Sequence, residues 1–358
     1  MQAPWRIIDI LGVNRLVQSL GWNDGWLLLY GHGVSRAGFE LNVTGNHIPV
    51  DVFGAHLAHL ISLGYRFIGM SEGLERLKRG LSMRGLATLT LDDGFANVVE
   101  QAYPVMASLK AKGCIYVVAG CVESNDLLWT DKVALVCWES RGCGARTFKF
   151  PAGDEAFDLR DKASTITSIA RIKTRLRQMP ESLRRVYFEQ FEDIFRGIPP
   201  ERIPQDYRLA TWEQLRQLDP NILEVGNHSL SHPNLTNVDI PEQLKQEIVD
   251  SKLLIEAALG RRVRHFCYPA GAYDASIIKV VQAAGHESAV STISGVNSAM
   301  LSGFELRRCE MHESPSIFRA KVSGVSDFVH SVRGSRLWKI PWLGSFAAES
   351  SELSGIWH

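Results

Sequence analysis

Residues 87–94 read Ala-Thr-Leu-Thr-Leu-Asp-Asp-Gly, a strand-forming run that passes directly into two carboxylates and a glycine. After it, Val98 to Lys112 carries a helical pattern and CIYVVAG (114–120) is a second strand. Strand, helix and strand in that order predict a βα repeat with parallel strands. The rhythm extends upstream. WLLLY (26–30) is a short buried strand, VDVFGAHLAHLISL near 50–63 a helix stopped by Gly64, YRFIGM (65–70) a strand and SEGLERLKRG a short helix. Residues 122–210 interrupt it with charged sequence and helical stretches near 161–178 and 181–196, separated by Pro180 and closed by Pro199-Pro200. It resumes with Thr211 as a helix N-cap, the strand ILEVG (222–226), a long helix from Pro241 to Gly260, the strand RHFC, the helix SIIKVVQAAG and the strand HESAVST. The expected fold is α/β, one distorted or incomplete (β/α) barrel. Its first part is 1–121, led by an amphipathic helix over 6–20. A mostly helical insertion over 122–210, the second barrel part over 211–325 and a tail over 326–358 follow.

Composition limits the function. The 358 residues carry 39 Lys+Arg against 39 Asp+Glu, a formal net charge of zero, with 45% hydrophobic residues. A globular core is affordable at that length, and the charge balance argues against a nucleic-acid partner. No apolar run reaches the roughly 18 residues of a membrane span. The first twenty residues are broken by Arg6, Asp9, Asn14 and Arg15, unlike a secretory h-region, although a signal removed upstream of residue 1 stays open. The six cysteines form no CxxC pair, so reduced thiols in a cytoplasmic protein are the expectation.

Two loops carry chemistry. Asp92-Asp93-Gly94 follows a strand, where barrels place catalytic groups, and successive residues point apart, so the two acids can act differently. An ordinary helix N-cap reads equally well from those three residues alone. His228-Ser229-Leu230-Ser231-His232-Pro233 also follows a strand. Histidines at i and i+4 on a single helical turn can reach one ion, with Pro233 ending the turn; two unrelated polar loop residues are the competing reading. Taken together, Asp93, His228 and His232 supply two imidazoles and one carboxylate and leave a coordination position open, the ligand set of a hydrolytic zinc site. Asp92 would then be the general base. Such a site also suits cobalt or nickel, so the cofactor is one divalent ion, with zinc expected.

TLTLDDG, HSLSHPNL and FCYPAGAYD, in that order and each after a strand, resemble the first three motifs of the polysaccharide deacetylase family, the NodB-homology domain of carbohydrate esterase family four. LLLYGHGVS, HLISLGYRFI, AYPVMASLKAKG and LRRCEM fit as flanks, and LWTDKVALV (128–136) resembles members encoded with surface-polysaccharide biosynthesis. The resemblance implies a distorted (β/α) barrel, metal-dependent removal of an N-acetyl group from an amino sugar, Asp92 as base, and Asp93, His228 and His232 as ligands. Two departures stand out. Many members carry an Arg in the third motif that orients the base; here Cys267 occupies that place, and Arg308, ahead of Arg307, is the expected substitute. The terminal motif's His, which protonates the leaving amine, has no clear counterpart, and His312 is the candidate. Surface arginines and an exposed loop histidine are the alternatives.

Tyr268, Tyr273 and the Ala270 N–H are candidate substrate contacts, the last for an oxyanion. His32 is a candidate for the mouth of the site, while His56 and His59 read as solvated helix positions. RGSRLWKIPWLG (333–344) interleaves Arg333, Arg336 and Lys339 with Trp338 and Trp342. That suits a peripheral membrane contact and a lipid-linked sugar, although a tail packed on the barrel is the commoner arrangement. The expected function is an N-deacetylase of an amino sugar in a glycan, a lipid- or nucleotide-linked intermediate or a small glycoside. Hydrolysis of a cyclic or non-sugar amide, and a non-catalytic carbohydrate-binding protein on the same fold, are the alternatives.

Overall fold

Strands β5 (Leu86–Leu91) and β6 (Gly113–Val117) are buried at every residue. A strand with no solvent face needs cover on both sides, the condition of a parallel sheet ringed by helices. The two threonines of β5 meet that burial by donating to backbone, Thr88 Oγ1 to Ile68 O at 2.8 Å and Thr90 Oγ1 to Leu29 O at 2.7 Å. The structure is a computed structural model that describes residues 25–36, 42, 45–298 and 302–325. The expected helix over 6–20 and the segment 333–344 lie outside the described residues.

The remaining strands are β1 (Leu27–Gly31), β2 (Gly33–Ser35), β3 (His47–Pro49), β4 (Arg66–Phe67), β7 (Ala145–Phe150), β8 (Gly153–Asp158), β9 (Leu223–Asn227), β10 (His265–Cys267), β11 (Ser288–Val290) and β12 (Cys309–Glu310). The main sheet runs β11-β10-β9-β6-β5-β1-β12, with β4 beside the start of β5, and its strands pair in parallel. Among the described residues β11 and β12 form no ladder with each other. The chain just before β12 meets the β11 side through the Val290–Leu306 bridge and the bond from Arg308 N to Ile293 O, so the barrel is distorted and incompletely laddered, as expected. Leu27, Leu29, Leu89, Leu91, Ile115 and Val117 meet Phe53, Leu57 and Leu60 of the helix Val50–Ser62 in the principal core. Every strand of this parallel sheet delivers its C-terminal end to the same face, and the loops there carry the candidate residues.

Three local expectations need correction. The stretch 98–112 is not one α-helix: Val98–Ala102 is a π-turn and Tyr103–Ser108 is α-helical. Pro104 has no N–H to give the carbonyl four residues earlier, which accounts for the altered winding. The strand expected over 65–70 shrinks to Arg66–Phe67. The insertion holds the helices Trp129–Glu139, Lys162–Arg177 and Glu181–Phe195 but also an antiparallel hairpin, β7–β8. Its buried positions Phe148, Phe150 and Phe157 alternate with charged ones, and that period-2 signal hides among the charges. These phenylalanines pack with Val133, Ile169, Ile172 and Phe191 into a core separate from the barrel's. Among the described residues no helix is long and apolar enough to cross a membrane.

Candidate metal centre and active site

The end of β5 sets the site. Asp92 N donates to Gly31 O at 2.9 Å, which ties the loop to β1. Asp93 (φ 74°) and Gly94 (φ 83°) then adopt left-handed backbone, which turns the two carboxylates apart. Aspartate is among the few side chains that tolerate this region. At position 94 a Cβ would come within 3.0 Å of Val117 Cγ1.

His228 and His232 do not sit on the helical turn expected from their spacing. Ser229 (φ 70°) and His232 (φ 59°) are both left-handed, and the loop is irregular. Its shape comes from side chains that replace a helix's own hydrogen bonds. Buried Glu247 accepts from Leu230 N and Ser231 N at 2.9 and 2.8 Å and from Ser231 Oγ at 2.6 Å. Asn227 Oδ1 accepts from Ser229 N, and Ser229 Oγ accepts from His232 N, each at 3.0 Å. Trp129 of the insertion donates from Nε1 to His232 O at 2.9 Å. Asn227, Glu247 and Trp129 escaped the sequence reading; a carboxylate beside the apolar stripe of the 241–260 helix was the available signal.

The loop brings three donors together. His228 Nε2 and His232 Nε2 each lie 3.4 Å from Asp93 Oδ1, and one ligand atom from each residue falls within 4.8 Å of the others. His228 Nδ1 donates to Cys267 O at 2.8 Å, which leaves Nε2 as the nitrogen facing Asp93. Burial disfavours charge on this ring, but Cys267 and the carboxylates beside it raise its affinity for a proton, which a metal at Nε2 would displace. Asp93 Oδ1 is buried without a hydrogen-bond partner, an atom that a cation would satisfy. Burial holds the His232 imidazole down to about 3, in the neutral form a metal needs. Burial also disfavours a charged Asp93, but His228 and His232 outweigh it and keep the carboxylate ionised. This set fits a divalent metal. Asp92, His228 and Cys267 also cluster within 4.8 Å, but the oxygens of Asp92 are already engaged.

The engagement is with Arg308. Its Nη1 donates to Asp92 Oδ1 at 2.7 Å and its Nη2 to Oδ2 at 2.8 Å, a two-pronged pair with the guanidinium 1% exposed. Nη1 also donates to Thr90 Oγ1 at 3.0 Å and Nε to Ser291 O at 2.7 Å, while the group lies 4.5 Å over the Tyr30 ring. Burial alone would raise the Asp92 carboxyl; Arg308 outweighs it and holds the group below the usual carboxylate range. Cys267 Sγ lies 3.4 Å from both Asp92 Oδ2 and Arg308 Nη2. A small residue at 267 thus leaves room for an arginine entering from β12's flank. Arg307 is exposed and points its backbone, not its guanidinium, at Asn297.

A cavity of about 310 Å³ opens over these groups, lined by His32, Asp92, Asp93, His228, His232, Tyr268 and Ala270 among others. Ala270 lines it in left-handed backbone, φ 54°. Tyr268 is buried, donates its hydroxyl to Phe304 O at 3.0 Å and stacks on Tyr273, which lies behind it and outside the lining. His312 is not among the lining residues. Its Nδ1 accepts from Ser314 N at 2.8 Å and its carbonyl meets His56 Nε2, so it serves the turn before the helix Pro315–Val322. The non-ligand imidazole on the wall is instead His32. His56 is not solvated as expected: it is buried and stacked on Phe318 at 3.9 Å.

Comparison with known proteins places the chain. A family model described as polysaccharide deacetylase matches residues 82–289, more than half of the sequence. The chain belongs to the polysaccharide deacetylase family. The Bacillus subtilis (strain 168) protein YxkH, whose name carries the words polysaccharide deacetylase, is 26% identical over 98 residues. That alignment covers 27% of this chain and 35% of YxkH, about a third of its length. Among solved structures, the Streptococcus pyogenes deacetylase PplD in complex with acetate superposes with a TM-score of 0.54 at 17% identity, covering 81% of this chain and 93% of that one. IcaB from Ammonifex degensii gives 0.54 at 17%, covering 84% and 97%. At those identities the two structures speak for the deacetylase fold alone.

Proposed function

We propose that this polysaccharide deacetylase is an active, metal-dependent N-deacetylase that hydrolyses the acetamide of an amino sugar to a free amine and acetate. The observation that carries the reading is Asp92, held ionised by Arg308, directly beside the trio Asp93, His228 and His232 on one cavity wall. A divalent ion, zinc on the ligand chemistry, would be held by that trio and would polarise the acyl carbonyl while making a water easier to deprotonate. Asp92 accepts the water's proton; its charge is secured by Arg308, and Oδ1, which accepts from Arg308 alone, keeps a second lone pair. The left-handed Ala270 backbone is the wall position from which an N–H can meet the oxyanion. His32 is the wall imidazole free to return a proton to the departing amine. Tyr268 supports the wall from behind the sugar site.

The test is metal content together with acetate release. Purified wild-type protein is expected to carry about one equivalent of divalent ion and to release acetate from an N-acetyl sugar, with both lost in a His228→Ala/His232→Ala variant. Wild-type protein that takes up no zinc, cobalt or nickel would overturn the reading. Ammonia or a ring-opened product from a cyclic amide, without acetate from any sugar, would favour the other substrate class.

A further inference from the structure

One wall of the cavity does not come from the barrel. Ile166, Ile169, Lys173, Thr174 and Arg177, all on the insertion helix Lys162–Arg177, face the same space as the metal trio. Lys173 is 8% exposed and, among the described residues, makes no hydrogen bond and no ion pair within 4 Å. The other buried cations contrast with it. Lys132 reaches Asp126 at 2.6 Å and Glu192 at 2.9 Å, Arg184 reaches Glu181 at 2.6 Å, and Arg308 reaches Asp92 at 2.7 Å. An amine that deep is seldom left without a partner.

Asp131, 2% exposed on the helix Trp129–Glu139, is the anion that acts most on Lys173, ahead of Asp93, yet its Oδ2 is buried without a hydrogen bond. Burial raises the Asp131 carboxyl and lowers the Lys173 amine, so neither fully settles the other's charge. Arg177, half-buried one turn along, has among the described residues no carboxylate within 4 Å; the anion that influences it is Asp93, which a metal would claim. A neutral sugar filling this cavity would offer an ammonium and a guanidinium hydroxyl and carbonyl acceptors but no charge to offset theirs, whereas an anion would supply both.

We infer that the insertion supplies an anion subsite, in which Lys173 and Arg177 bind a phosphate or a carboxylate carried by the sugar whose acetamide faces the metal trio. The location rests on the deacetylase reading of the site; the binding of the anion does not. Arg177 offers a planar fork suited to either group and Lys173 a point charge beside it. The geometry thus selects a charged amino-sugar substrate over a neutral one.

The experiment is calorimetric binding to the full-length, zinc-loaded protein. The probes are methyl N-acetylglucosaminide, N-acetylglucosamine 1-phosphate and N-acetylglucosaminuronic acid. At least one anionic probe is expected to bind tenfold or more tightly than the neutral glycoside, and the larger gain identifies phosphate or carboxylate as the source. Lys173→Met/Arg177→Gln should erase that preference, while Lys173→Arg, which keeps the charge, should retain most of it. Equal binding of all three probes, no binding of either anion, or a preference that survives the double variant through the metal alone would overturn the inference. Acetate release is followed separately. Turnover without an anion preference defeats this inference and leaves the deacetylase reading standing, whereas anion binding without turnover of any probe does the reverse.

Discussion

Moving the arginine that holds Asp92 gives the most searching prediction. Arg308→Met removes the guanidinium while keeping the aliphatic volume. Asp92, 3% exposed, then loses contacts of 2.7 and 2.8 Å, and Thr90 Oγ1 and Ser291 O lose their donors. Removing one partner of a buried ion pair costs about 3–5 kcal/mol, because the remaining charge stays out of water. The expected loss by urea denaturation at pH 7 is in that range, and acetate release should fall by two or more orders of magnitude as the base loses its orientation. Adding Cys267→Arg should reverse part of both losses, since position 267 already stands 3.4 Å from Asp92 Oδ2 and the space vacated by Arg308 adjoins it. Cys267→Arg alone should destabilise, with two guanidiniums competing for one carboxylate. The double-mutant cycle is therefore expected to show coupling of at least about 1 kcal/mol. If the double variant is no more stable and no more active than Arg308→Met, the reading of Cys267 and Arg308 as two solutions to one requirement is wrong.

Three further outcomes follow from the geometry. Glu247→Gln loosens the loop that presents both imidazoles, and should weaken zinc binding roughly 10–100-fold in a chelator competition while the protein stays folded. His32→Gln is expected to lower kcat at least a hundredfold, the usual size of a proton-transfer contribution, whereas His312→Gln should change it less than about threefold; the reverse order would return the acid role to His312. His56 is lowered by burial from 6.5 to about 4. The unfolded chain therefore binds the proton first, so stability should fall as pH drops from about 6.5 toward 4, by about 2–3 kcal/mol attributable to this residue. The difference between wild type and His56→Leu in urea midpoints across that range measures it, and parallel profiles would refute it.

The parts of the site legible in the sequence were those written in short motifs after strands. Asp92, Asp93, His228 and His232 all converge, because a parallel barrel carries every strand's C-terminal end to one face. Arg308 could be nominated from a vacancy at Cys267, but its partnership with Asp92 depends on β12 lying beside β1, a pairing across most of the chain. The His loop misled for a physical reason: i, i+4 spacing suggests a helical turn only if the backbone bonds to itself, and here Glu247, Asn227 and Ser229 take over that bonding. His32 and His312 were ranked by position along the chain, which says nothing about which imidazole reaches the cavity. Lys173 and Arg177 looked like ordinary charges on an insertion helix; only the packing of that helix over the barrel mouth gives them a role.

The placement of that insertion also bears on how such a protein can diversify. β6 and β9, the strands before and after it, are direct neighbours, paired from Gly113–Leu223 to Val117–Asn227. The barrel's ladder therefore closes beneath the insertion without relying on it, and the insertion holds a core of its own. Selection can rewrite the roof of the cavity while the floor, with its acids and imidazoles, is inherited intact. A chimera that exchanges residues 122–210 between relatives, with Trp129 kept for its bond to His232 O, would carry substrate preference with the transplanted piece and leave the hydrolytic machinery with the host.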